Sequence, residues 1–245
     1  MDGVTRGRGL LLAVATAAFA AFAAACGSSD SAAPDSAELP PLGPVTAAAP
    51  VTGTPIADAG RLREQLLMAA NLPPNFTALP ARADAPAGVQ QAAPTDPAEC
   101  AKVLTPLGAQ RSGALATAAV QYAGPSFSSI DIDAASFPND AVASVFSDVQ
   151  ATLRRCTHYS GADATDIPVD YRVGGFAPPQ AGDAVTAFEV RASSDGLTLH
   201  SAVAIVQVGS TLAQVAVTAP EPVDAKVLSD LTAAQVRRLH GVSGP

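Results

Sequence analysis

The chain has 245 residues, 48% hydrophobic but only 4% aromatic and without Trp, which is enough for one domain with a core of Ala, Val and Leu. Fourteen basic residues against 22 acidic ones give a net charge of −8. That balance excludes the basic patches with which nucleic-acid binding begins, and it excludes adsorption to anionic lipid by charge alone.

Arg6 and Arg8 precede an apolar run from Leu10 to Phe22, and Ala23-Ala24-Ala25 then lead into Cys26. Charge, apolar segment and small-residue site in this order predict a signal peptide over residues 1–25. The run is shorter than the roughly 20 residues a spanning helix needs. The Ala-Ala-Ala-Cys ending resembles the bacterial lipobox, with Ala where that motif usually carries Leu. The resemblance implies diacylglyceryl transfer to the Cys26 thiol, palmitate-type acylation and cleavage before Cys26. The protein is then expected on the extracytoplasmic face of the cell membrane, with the membrane as partner through its lipid anchor. Cleavage removes Asp2, Arg6 and Arg8 and leaves 12 basic and 21 acidic residues, a net charge of −9.

Residues 26–57 are rich in Ala, Pro, Ser and Thr and poor in bulky apolar side chains, the composition of a disordered linker. A mobile loop is also expected at 80–94. From Asp58, a helix cap, a helix is predicted through about Ala70 with Leu62, Leu66 and Ala69 on one face; Asn71 and Pro73 end it. Asp96-Pro97-Ala98-Glu99 has the signature of a helix start, and Cys100, Val103, Leu104 and Leu107 form its buried face. Strands are predicted at 114–122 and 126–134. The clearest helix runs from Asn139 to Cys156, with Val142, Val145, Phe146, Val149, Leu153 and Cys156 at helical spacing. Strands follow at 167–173, 184–192, 197–208 and 211–218, separated by short polar turns such as Asp195-Gly196 and Gly209-Ser210. A last helix is predicted over 222–239, with a disordered tail at 241–245. The order α-α-β-β-α-β-β-β-β-α predicts an α+β domain over 58–240, with helices packed on a twisted antiparallel sheet.

Of the three Cys, Cys26 is assigned to the anchor, and outside the membrane Cys100 and Cys156 then read as a disulfide. Two buried free thiols and a redox pair are the alternatives, though the spacing is not Cys-x-x-Cys. The histidines His158, His200 and His240 show no metal-ligand spacing. His158 is placed at a helix end, where a cation suits the dipole; His200 is a strand histidine with a local partner; His240 lies near a frayed terminus. Asp131-x-Asp133 reads as the solvated face of an edge strand, with a divalent cation as the other possibility. Arg154-Arg155 and Arg237-Arg238 sit in last helical turns. No Gly-x-Ser-x-Gly elbow and no phosphate-binding loop is present, and neither a cofactor nor a metal is expected.

Leu66-Leu67-Met68-Ala69-Ala70-Asn71-Leu72-Pro73-Pro74-Asn75-Phe76 resembles the opening of many actinobacterial lipoprotein domains. The helix starting at Cys100, the long helix ending in Cys156 and the closing strand-strand-helix follow in the same order. Together, over about residues 60–240, they resemble mycobacterial lipoproteins related to the PknH-type extracellular sensor domain of membrane Ser/Thr kinases. The resemblance implies helices against a twisted antiparallel sheet, disulfides, and a cleft for an unknown ligand. It also departs from the family: the kinase domains carry two disulfides where this chain has Cys for one, and no kinase is present, so a signal must pass to a partner.

The leading expectation is a non-enzymatic, surface-tethered ligand-binding domain whose ligand is a lipid or another envelope molecule. The apolar strands at 201–208 and 212–217 either line its cleft or form core. A protein-interaction module of the envelope is the second reading, and a hydrolase using a Ser with His200 the third.

Overall fold

The computed structural model describes residues 38–80, 94–163 and 165–242. The strands among them are β1 (Thr77–Ala78), β2 (Thr95–Asp96), β3 (Ala116–Ala123), β4 (Ser129–Ser136), β5 (His158–Ala162), β6 (Pro168–Gly175), β7 (Ala184–Ser194), β8 (Leu197–Val208) and β9 (Thr211–Ala219). They form one antiparallel sheet in the order β1-β3-β4-β9-β8-β7-β6-β5-β2. The helices are α1 (Ala59–Glu64), α2 (Leu107–Gln110), α3 (Val142–Arg155) and α4 (Ala225–Leu239), with 3-10 segments at Ala69–Asn71 and Ala98–Leu104. The α+β class expected from the pattern is the class observed.

Strand alternation divides the interior into two layers. Val203, Ile205 and Leu212 face α3 and the Cys100 helix, together with Phe146, Val149 and Phe188. Ala202, Ala204, Val206, Ala213, Val215 and Val217 face α1 and α4, together with Leu62, Leu66, Leu228 and Leu231. Both faces of β8 and β9 are covered, so these strands read as continuous apolar runs rather than as alternating ones. The α4 end is closed by Gly241 at φ +77°: Gly241 N–H donates to Arg238 O and Val242 N–H to Arg237 O. This glycine-bearing Schellman cap makes 241–242 part of the helix terminus rather than of a tail; residues 243–245 lie outside the described residues.

Three expectations change in detail. Asp58 does cap α1, accepting from Arg61 N–H at 2.6 Å, but the helix stops at Glu64, and Ala69 is exposed. The helix predicted from Asp96 is a 3-10 segment that begins after a cis Asp96–Pro97 bond; Cys100, Val103 and Leu107 are buried, whereas Leu104 is exposed. His158 does not close a helix but opens β5, a strand the apolar pattern does not reveal. The predicted 80–94 loop falls almost wholly outside the described residues.

The largest difference concerns the linker expected through residue 57. Residues 38–57 lie as an extended strap, with Leu42, Ala48 and Val51 packed against the core on the α3 side of the sheet and Ile56 against the other layer. Gln150 on α3 accepts from Thr46 N–H and donates to Thr46 O, both at 2.8 Å. Gln207 on β8 does the same for Ala49, at 2.8 and 3.0 Å. These two amides satisfy backbone groups that a low-complexity sequence otherwise leaves to water, and so hold a segment with no periodicity of its own.

Candidate functional site

The cleft does not lie along strands 201–208 and 212–217: Ala202 to Val206 and Leu212 to Val215 are buried in the two core layers. Cys100 and Cys156 form a disulfide, with their Cα atoms 5.5 Å apart, and it ties the 3-10 segment to the end of α3. Arg155 reinforces the same junction with Nε 3.2 Å from Glu99 Oε1. Cys26 lies outside the described residues.

Asp131 and Asp133 are not the solvated face of an edge strand, because β4 runs between β3 and β9. Asp133 is buried; its Oδ1 accepts from Leu107 N–H at 2.8 Å and its Oδ2 from Gln214 Nε2–H at 3.1 Å. Burial pushes its pKa up to about 7. Asp131 is instead tied to Gln121 and Ser129. Among the described residues no group of three His, Cys, Asp or Glu converges as a metal would require.

His158, Arg172, Arg191 and His200 stand directly opposite one another on β5, β6, β7 and β8. Four nitrogen bases in one cross-strand row would repel when charged. The sheet offsets this with two carboxylates, each shared by one His and one Arg. Asp170 receives Arg172 Nε–H at 3.1 Å and lies 2.6 Å from His158 Nε2; Glu189 receives Arg191 Nε–H at 3.1 Å and lies 3.0 Å from His200 Nδ1. The first unit is exposed and the second buried, with the His200 side chain only 5% accessible. His200 therefore has the local partner expected of a strand histidine. His240 is the C-cap of α4. The row itself was out of reach of the sequence, because only the strand register brings it together.

Among the described residues, a concave site of useful size lies along α4. A groove of about 320 Å3 is bounded by Val227, Leu231 and Ala234 on one wall and by the Ala70–Pro73 segment on the other, with Asp230 and Arg237 at its rim. Local chemistry builds the second wall. Gln235 accepts from Leu67 N–H and donates to Gln65 O, both at 3.0 Å, and Arg238 donates to Leu66 O and Glu64 O. Tyr122 Oη–H reaches Leu67 O at 2.6 Å; burial raises the pKa of that phenol, so it remains a donor. Asn71 Oδ1 accepts from Met68 N–H and closes the 3-10 turn. Pro73 and Pro74 then keep the chain from continuing as helix, and it stands away from α4. Asp230 is engaged by Lys226 at 2.6 Å, whose pKa that bond raises, so Arg237 supplies the rim's positive charge. The notable signals in sequence are glutamines at helical core positions: Gln150 and Gln235 are buried where an apolar residue is expected.

No family model matches the chain, and no curated protein matches it in sequence. Among solved structures, the crystal structure of the extracellular domain of PknH from Mycobacterium tuberculosis superposes with a TM-score of 0.58 at 12% identity, covering 78% of this chain and 100% of that one. At that identity the likeness is one of fold, and it agrees with the PknH-type fold expected from the element order.

Proposed function

We propose that the chain is an extracytoplasmic, lipid-tethered domain of sensor type that binds a small amphipathic envelope molecule in the α4 groove. The observation that carries this reading is the groove itself. Its walls are Leu, Val, Ala and Pro side chains with Asn71, its rim carries Arg237 and the Lys226-paired Asp230, and its size lies at the lower end of the ~300–1,000 Å3 range of small-molecule sites. An acyl-like body fits the walls and an anionic group fits Arg237. The fold, that of an extracellular kinase domain, supports placement outside the cytoplasm. So does the order of Arg6, Arg8, the apolar run and Cys26 in the first 26 residues. No helix among the described residues is long and apolar enough to cross a membrane.

Native mass spectrometry of the protein purified from its own host tests the proposal. The expected spectrum carries the acyl mass on Cys26 and a small molecule that is absent from Ala234→Trp, a substitution that fills the groove. Recovery of both proteins without bound mass would overturn the groove as the site.

A second reading, a protein-interaction module, is favoured by the edge of β3. β4 covers one side of β3, and β1 pairs only with Tyr122 and Ala123 on the other, so the outer side of Ala116–Val120 carries no partner strand among the described residues. Arg63 covers the Ala119 carbonyl. An extended partner segment would pair there. Surface cross-linking in the native host that recovers one stable protein partner through Thr117 or Ala119 would favour this reading over the groove.

A further inference from the structure

The strap is held in an unusual way for a segment on a sheet. It pairs with no strand; its backbone is read by side-chain tips. Gln150 and Gln207 each grip both amide groups of one residue, Asn139 Nδ2–H donates to Gly53 O at 2.9 Å, and Ser136 Oγ accepts from Ile56 N–H at 3.1 Å. The floor is cut away to admit the chain. A Cβ on Gly174 would lie 2.3 Å from Leu39 Cβ, and one on Gly175 2.3 Å from Pro41 O. Gly175 N–H donates to Pro40 O at 2.7 Å. Apart from the close approach of Leu39 to Gly174, these contacts address backbone amides, so the groove reads an extended backbone more than a particular sequence.

Three features make the occupant exchangeable. Its apolar anchors, Leu42, Ala48 and Val51, are only partly buried. The groove residues belong to α3, β4, β6 and β8 or their flanks, which are joined to one another without the strap. Gly53, at φ +100° with open space around its Cβ position, gives the strap a pivot before α1. We infer that residues 38–56 are an internal ligand seated in a peptide groove, and that this groove accepts the same segment from a second copy of the chain. Tethering copies to one surface raises their effective concentration for each other and favours exchange. The interaction is separate from the α4 groove, and its test does not depend on the lipid.

The test uses the chain from residue 26 to 245 with Cys26→Ser, and a fluorescent synthetic peptide of residues 38–56. Leu42→Asp with Val51→Asp loosens the resident strap and leaves the groove intact. This variant should bind the peptide at least about tenfold more tightly than the unloosened chain, and further replacement of Gln150 and Gln207 by Ala should abolish the gain. Light scattering of the unloosened chain should show a dimer that grows with concentration and is lost in the loosened variant. Absence of peptide binding, binding indifferent to the two glutamines, or binding without any dimer would each overturn the inference. Hydrogen exchange on the unloosened chain gives a second check that needs no folded variant. Thr46 and Ala49 amides should exchange at least about tenfold faster than those of Val203 and Val215, and exchange as slow as the core's would mean that the strap never leaves.

Discussion

Asp133 is the residue whose environment and chemistry are most at odds. It is buried on β4 with two donors, Leu107 N–H and Gln214 Nε2–H, yet burial outweighs both and lifts its pKa to about 7. The folded state thus favours the protonated acid relative to the unfolded chain, whose carboxyl titrates near ~4. Between about pH 4 and pH 7 the native protein holds more protons than the unfolded one, so stability falls as pH rises through that window. Asp133→Asn removes the charge and retains an oxygen for Leu107 N–H. A turn of the Gln214 amide also lets Oε1, buried without a partner, accept from the new Nδ2. Urea unfolding at pH 5 and pH 8 should show the wild type losing stability of the order of 2–4 kcal/mol more than the variant over that interval. An equal loss in both would show that Asp133 is ionised without penalty. The surface carboxylate Asp163 behaves oppositely, since bonds from Ile167 N–H and Thr165 hold its pKa down.

Elements with a strong period of their own are the ones a reader of the sequence can place. α3 and α4 show the spacing of Val142, Val145, Phe146, Val149 and Leu153, and of Leu231 and Ala234; β8 and β9 are bounded by Gly turns, and these boundaries fall within a few residues of expectation. Elements fixed by distant partners are not legible in the same way. β5 owes its place to pairing with β6 and to the stacking of Tyr159 on Tyr171 at 4.7 Å. The strap owes its order to Gln150 and Gln207, which lie 104 and 158 residues further along the chain from the residues they hold. The disulfide was legible because assigning Cys26 to an expected anchor leaves a pair of cysteines, and the α4 groove was not, because its far wall is a proline-rich turn. Element docking can be tested through the same pair. Cys100→Ala with Cys156→Ala opens a 56-residue loop and leaves the apolar face of α3 unchanged. It should lower the unfolding free energy by about 2–4 kcal/mol and the melting temperature by on the order of 5–15 °C. Calorimetry that finds no change would mean that the core alone docks the Cys100 segment.

For the whole molecule, the seated strap changes how far the domain can stand from a membrane. A tether free from residue 27 to 57 would reach ~95 Å when extended. With the strap on the sheet, only the eleven residues 27–37 separate Cys26 from the first described residue, and their full extension is ~40 Å. The net charge, −8 for the chain, works against closer adsorption, because an acidic domain gains nothing from anionic headgroups. Under the proposed anchoring, attachment would come from acyl chains on Cys26, and more than one is needed for stable anchoring. Cys26→Ala should move the protein from the membrane to the soluble fraction, and this soluble form should ignore phosphatidylserine vesicles at both low and high salt. With the acylated chain on vesicles, energy transfer between a headgroup dye and a label at exposed Thr54, the strap's end, can follow the strap itself. The distance should shrink when the strap is seated and lengthen on Leu42→Asp with Val51→Asp, because the released strap adds its own length to the tether. An unchanged distance would mean either that the strap does not hold the domain near the surface or that it is never released, and the exchange rates of Thr46 and Ala49 separate the two.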